Sequence, residues 1–367
     1  MQRNWFKCLL AIGLALSFHV VQGQPLAGWG YVGWWLPQSW RTAPLEQFDR
    51  LLFFELKVGL DGRIQERHGW PEDWSALREQ ALNSRTPLDL TLTLFNPDEF
   101  NALFSSIEAT RRLLDQSIAL VAPFPMTGLQ IDFEIYTPAS PQSVENFRTF
   151  LRQLTTRLHA MSPPRNISVF LPVGGDTPLY DAPTLGVVNH IVMQGYDAHW
   201  PGSKNAGPVA PLRGDDAWSW ERVWAYGQTL GVPGNKLLIS FPLFGYEWPV
   251  KGRKIRSPSA GKGLPTTFAP IAGIPSGEVQ SSVRERVLQY GASQDAASGS
   301  AYYQFRRGDG QYMEGWFEDW WTLDQKIDFL GKNKLGGLAF FLIGYDDDQL
   351  VNFFFQKRGP RVSSMVE

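Results

Sequence analysis

The chain has 367 residues, with 34 Lys plus Arg against 36 Asp plus Glu, five His, one Cys and 14% aromatic residues. A formal charge of −2 and the lack of any Lys/Arg run argue against nucleic acid or an anionic membrane as the main partner, and the length suits two domains or one large α/β barrel. At the N-terminus, Arg3 and Lys7 precede the apolar run Cys8 to Phe18, and Val21-Gln22-Gly23 offers a cleavage site. The run is short for a membrane span, so residues 1–23 are expected to be a signal peptide, leaving no membrane span and a secreted or periplasmic product. Removing it takes away Arg3, Lys7 and Cys8, so the mature charge becomes −4 and stability must rest on packing without disulfides.

Eight short apolar, β-rich runs follow in chain order: Ala27 to Trp35, Leu51 to Val58, Leu88 to Phe95, Gly128 to Ile135, Ile167 to Val173, His190 to Tyr196, Lys236 to Phe244 and Gly337 to Ile343. Between them, Trp74 to Leu82, Ala102 to Leu120, Val144 to Met161, Trp218 to Leu230 and Leu323 to Lys332 carry apolar residues at the three- and four-residue spacing of helices. Strands alternating with helices predict a (β/α)8 TIM barrel over residues 24–357, whose active site belongs at the C-terminal strand ends. The gap between strands seven and eight is the longest. Its Pro/Gly/Ser-rich part from Pro258 to Gly277 and the hairpin-like Ala301 to Tyr312 predict a small α+β insertion over residues 248–312. A polar tail covers residues 358–367.

The most informative stretch is Gly128-Leu129-Gln130-Ile131-Asp132-Phe133-Glu134, because strand alternation sends Gln130, Asp132 and Glu134 to one face and the apolar residues to the other. Polar side chains pointing into a barrel are costly unless they pair or reach a solvent-filled site. This stretch resembles the glycoside hydrolase family 18 signature Asp-Gly-x-Asp-x-Asp-x-Glu on the fourth barrel strand, with Thr127 and Gln130 in the places of the first two aspartates. Tyr196-Asp197 resembles the family's Met-x-Tyr-Asp on strand six, with Gln194 where the Met would stand. Phe241-Pro242-Leu243-Phe244-Gly245-Tyr246 resembles its strand-seven Leu-Pro-x-Tyr-Gly. Tyr312 to Asp319, with Leu323 and Lys326, resembles the approach to strand eight. Leu335-Gly336-Gly337-Leu338 resembles the start of that strand, with Phe341 in the place of the Trp that usually floors the sugar site.

The resemblance implies a chitinase-like glycosidase that cleaves β-linked N-acetylglucosamine-containing glycans with retention, the nucleophile being the substrate's own 2-acetamido oxygen. It implies Glu134 as acid then base, Asp132 as the group that orients and stabilises the acetamido group, Tyr196 as its hydrogen-bond donor and Asp197 in support. Gln130, Gln194, Tyr246, Phe341, Trp200 and Trp248 are the expected substrate-binding residues, the two Trp because they follow strands six and seven directly. Trp34, Trp35, Trp40 and Trp316 also fall near expected loop or strand ends, where core packing is the default for any one of them. A neutral amide at Gln130 cannot titrate, which leaves a catalytically silent glycan-binding barrel as the alternative. The five histidines have no metal-ligand spacing, although His199 follows Tyr196-Asp197 closely enough to line a cleft. No metal or cofactor is expected, and the protein is expected to act as a monomer. Asn166-Ile167-Ser168 is a glycosylation sequon.

Overall fold

The computed structural model describes residues 25–173, 179–271 and 281–359. The expected signal peptide, with Cys8, and residues 360–367 of the expected tail lie outside them. In chain order the elements begin β1 (Ala27–Gly33), β2 (Arg50–Val58), β3 (Ile64–Glu66), α1 (Ser75–Asn83), β4 (Leu88–Leu94), α2 (Pro97–Ser105), α3 (Ile107–Val121) and β5 (Leu129–Phe133). They continue with α4 (Pro141–His159), β6 (Ile167–Leu171), α5 (Ala182–Val187), β7 (His190–Met193), α6 (Trp220–Thr229) and β8 (Leu237–Pro242). The remainder is β9 (Phe244–Val250), β10 (Leu264–Thr267), α7 (Val283–Tyr290), β11 (Ser293–Asp295), β12 (Ser300–Arg306), β13 (Tyr312–Phe317), α8 (Trp320–Lys332), β14 (Gly337–Phe341) and α9 (Gln349–Arg358).

Strands β1, β2, β4, β5, β6, β7, β8 and β14 pair in parallel in that order, and β14 returns to β1, so the sheet closes into a (β/α)8 barrel. Each expected run holds one barrel strand. Alternation divides their side chains cleanly. Leu90, Leu92, Leu129, Ile131, Phe133, Ile191 and Met193 point outward into the layer shared with the helices, while Trp29, Tyr31, Leu52, Phe170, Val192, Leu238 and Ala339 fill the barrel. Strand β2 breaks this rhythm. Its register against β4 shifts between Phe53 and Leu56, and that irregularity turns Glu55 to the inner face, where Thr93 meets it.

The helices form where the sequence supplies both an apolar stripe and a cap. Along α4, Val144, Phe147, Leu151, Leu154 and Leu158 are buried, behind a start set by Ser140 and Pro141. The run expected as one helix from Ala102 to Leu120 is two. Ser106 is extended (φ −100°, ψ 113°), ends α2, and its hydroxyl accepts the Ala109 N–H to open α3. The sequence reading did not include β3, α5, α7 or α9. Helix α9 is held by Asp346, whose Oδ2 accepts the Leu350 and Val351 N–H groups, and it buries Phe354 and Phe355 beneath the barrel.

Between β8 and β14 the chain builds a separate antiparallel sheet in the order β10-β9-β13-β12-β11. It starts at Phe244 and ends at Phe317, so its strands reach beyond residues 248–312 on both sides. Its own core holds Tyr246, Trp248, Val250 and Trp316. One buried carboxylate there, Glu247, is matched by Arg286 Nε at 2.8 Å and by the Tyr303 hydroxyl at 2.9 Å.

Candidate active site

The C-terminal end of β5 carries the chemistry. Gln130 and Asp132 face into the barrel and are buried, and Glu134 follows one step further out, its N–H still held by the Leu94 carbonyl at 3.1 Å. Gln130 lies deepest, wholly buried, its Oε1 accepting from Thr91 Oγ1 at 3.2 Å. Its amide faces the Tyr31 hydroxyl without closing a hydrogen bond of good geometry. Asp132 and Glu134 are hydrogen-bond neighbours, an arrangement that favours the neutral form of Asp132 and the ionised form of Glu134. The other Asp132 oxygen, Oδ1, has no partner. Glu134 Oε2 also accepts from Tyr136, whose hydroxyl reaches to 3.5 Å of Gln194 Oε1. That oxygen is in turn fixed by the Val173 N–H at 3.2 Å.

Opposite this pair, Asp197 Oδ1 accepts the Tyr246 hydroxyl at 2.9 Å. Asp197 sits at φ 65°, a left-handed conformation that Asp tolerates better than most side chains. Tyr196 packs edge-on to Phe244 at 5.5 Å and tilted to Phe341 at 5.9 Å. Phe341 also lies 5.4 Å from Tyr31 and 5.4 Å from Phe54. The result is an aromatic floor beneath a group of carboxylates.

Burial dominates the electrostatics. Asp132 is pushed well above the usual carboxylate range by desolvation first, then by the charges of Glu134 and Glu55. Glu134 is raised by burial, an effect reduced by the hydrogen bonds from Tyr136 and Asp132. Asp197 is raised to about 6, again by burial and against the Tyr246 bond. The hydroxyls of Tyr31, Tyr136, Tyr196 and Tyr246 are all raised by burial, so they stay neutral donors. A site built this way holds a proton near neutrality and can give it up to a buried acceptor.

The structure thus gathers Asp132, Glu134, Gln194, Tyr196, Asp197, Tyr246 and Phe341 at the C-terminal end of the barrel. Trp200 is 55% exposed on the segment after β7. Trp248 is not brought to the cleft. Alternation along β9 puts its ring inside the insertion, fully buried, 5.7 Å from Tyr246. His199 belongs to a different polar group, within 3.0 Å of Asp216, which also pairs with Arg256. Asn166 is bonded to Asp89 at 2.7 Å and to His190 at 3.1 Å at the opposite end of the barrel, so its amide is occupied rather than free for a glycan.

Sequence reasoning missed Glu55, Tyr31 and Tyr136. Tyr136 continues the alternation of 130, 132 and 134, and Glu55 is a lone carboxylate in the apolar run Leu51 to Val58, so both had a signal. No group of three or more His, Cys, Asp or Glu able to hold a metal ion occurs among the described residues.

A closed (β/α)8 barrel with a pair of buried neighbouring carboxyls at the C-terminal end of β5 has the arrangement of a barrel enzyme. The family described as Glycosyl hydrolases family 18 matches residues 93–346, and the chain belongs to that family. It is 28% identical over 297 residues to YdhD of Bacillus subtilis (strain 168), named as a candidate sporulation-specific glycosylase, covering 78% of this chain and 63% of the relative. It is 22% identical over 327 residues to the cortical fragment-lytic enzyme of Bacillus anthracis, covering 84% and 69%. Among solved structures, the family 18 chitinase of Cycas revoluta in complex with (GlcNAc)3 superposes with a TM-score of 0.74 at 18% identity, covering 91% of this chain and all of that one.

Proposed function

We propose that this glycoside hydrolase is exported and cleaves β-linked N-acetylglucosamine-containing glycans with retention of configuration, using the substrate's acetamido group as nucleophile. The observation that carries the reading is the hydrogen-bonded Asp132–Glu134 pair, both members raised above the ordinary carboxylate range. As the glycosidic bond breaks, Glu134 gives the shared proton to the leaving oxygen, and the acetamido oxygen attacks the anomeric carbon from the opposite face. Asp132, having passed its proton to Glu134, is left as the negative group beside the oxazolinium-like cation. Glu134 then takes a proton from water as it opens the ring and returns it to Asp132, which restores the starting state. Tyr196 donates to the acetamido carbonyl, and the Tyr246–Asp197 bond fixes the facing wall. Phe341 floors the sugar. The cortical fragment-lytic enzyme and the chitinase complexed with (GlcNAc)3 support this substrate class. Export rests on residues 1–23, and mass spectrometry should place the mature N-terminus close to Gln24.

The deciding measurement is hydrolysis of matched oligosaccharides with and without the 2-acetamido group. Activity should require that group, and a thiazoline mimic of the cyclised intermediate should compete. Equal rates on both substrates would exclude substrate assistance. Binding without turnover on every acetamido glycan would favour the silent glycan-binding barrel.

A further inference from the structure

We propose that Glu55, on the second barrel strand, is a positioning residue that sets the protonation of the Asp132–Glu134 pair from two strands away. The inference deepens the acid–base reading of that pair and rests on it. Its basis is geometric. The register shift in β2 turns Glu55 into the barrel, where it is 7% exposed and Thr93 Oγ1 donates to its Oε2 at 2.6 Å. Thr93 on β4 is the register partner of Asp132 on β5. The row Glu55, Thr93, Asp132 therefore crosses three adjacent strands on the inner face and ends on Asp132, whose Oδ1 has no partner.

The other inward side chain of β5, Gln130, is an uncharged amide committed to Thr91, so it adds no charge to the pair. Glu55 is the further carboxylate whose charge acts on Asp132, and it opposes ionisation there. The remaining charged or titratable groups near Glu55 do not cancel it. Lys57, on the same strand, is half exposed and paired with Glu66 at 3.0 Å. His68 is stacked on Trp34 at 4.0 Å, and burial lowers its pKa, so it is neutral near pH 7. Tyr31, facing the pair from β1, is a neutral donor. A negative charge buried on the inner face of the barrel near Asp132 keeps the proton in the pair up to a higher pH than burial alone would.

The substitution Glu55→Gln keeps the volume and the acceptor for Thr93 but removes the charge. The expected result is an alkaline limb of the kcat/KM profile moved about one unit toward acid, with activity about tenfold below wild type above that limb and near wild type below it. Glu55→Asp, which keeps the charge but retracts it by one methylene, should fall between the two. Placing a carboxylate back on β5 in the double variant Glu55→Gln/Gln130→Asp should move the limb back toward wild type.

The same shift is to be read without substrate, by following 13C-labelled Asp and Glu carboxyl resonances with pH in wild type and Glu55→Gln. A resonance shift without any hydrolysis of acetamido glycans would leave Glu55 established and defeat the functional reading. Hydrolysis with an unmoved limb and unmoved resonances would overturn the role of Glu55, even if melting temperature fell. Should Glu55→Gln not fold, the comparison of Glu55→Asp with wild type decides on the same two readouts.

Discussion

At the residue scale, the site depends on carboxyls whose ionisation burial opposes, so that each costs the fold stability once it is charged. Replacing Glu134 by Gln keeps its shape and its bond from Tyr136 but removes the transferable proton. Turnover should fall by about 10² or more while glycan affinity, read by calorimetry, persists. Asp197 allows a stability test. Its pKa is about 6 in the folded protein against 3.8 for a free Asp, so the folded state binds the proton more tightly than the unfolded chain. The contribution of Asp197 to stability is therefore greatest below pH 3.8, falls as the pH rises toward 6 and is then absent, the lost contribution being at most about 3 kcal/mol. Asp197→Asn can still accept from Tyr246 and suits the left-handed backbone. It should raise the melting temperature at pH 7 to 8 relative to wild type, give no gain at pH 3 to 4, and reduce activity. A gain at both pH values would show that charge is not the cause.

At the scale of elements, most of the fold was legible because barrel strands and amphipathic helices write different periods into the chain. The Asp132–Glu134 face could be read from alternation alone, and so could the outward Leu129, Ile131 and Phe133. What escaped reading depends on events that a period does not record. The inward turn of Glu55 comes from a register shift between neighbouring strands, which exists only once β2 meets β4. Trp248 looks, in sequence, like a loop aromatic after a strand, yet only Leu243 separates β8 from β9, which pairs with β10 and β13, and this sheet closes over the ring. Ser106 is a case where the local signal was present but outvoted by the apolar spacing on both sides. Because it ends α2 and caps α3, Ser106→Ala removes the acceptor for the Ala109 N–H. The expected loss is about 1 kcal/mol in urea unfolding with unchanged activity, whereas Ser106→Asp should be neutral or better. No loss in the Ala variant would mean that packing of the helices alone fixes the break.

At the scale of the whole molecule, the insertion is joined to the barrel by a buried ion pair. Glu318 leaves β13 and meets Lys326 of α8 at 2.5 Å, and both side chains are fully shielded from solvent. Ser300 of β12 donates to the second Glu318 oxygen at 3.1 Å, and Lys326 Nζ lies 5.5 Å from the Trp220 ring and 5.8 Å from Phe241. One pair thus links a strand of the insertion, the helix that leads to β14, and the wall of the barrel behind β8. Burial raises the Glu318 pKa and lowers that of Lys326, so desolvation works against both charges and their mutual attraction offsets it. Lys326→Met should cost about 3–5 kcal/mol, because it strands a buried carboxylate with only the neutral hydroxyls of Ser300 and Thr322 beside it. The double variant Lys326→Met/Glu318→Leu should recover most of that loss, since apolar side chains of similar volume carry no desolvation penalty. Stability by denaturant unfolding should then separate two accounts of the pair. If the double variant matches wild type in stability but loses glycan affinity, the pair fixes the position of the insertion wall that carries Tyr246. If it is as unstable as the single variant, the pair itself supplies net stability, and the argument from desolvation fails.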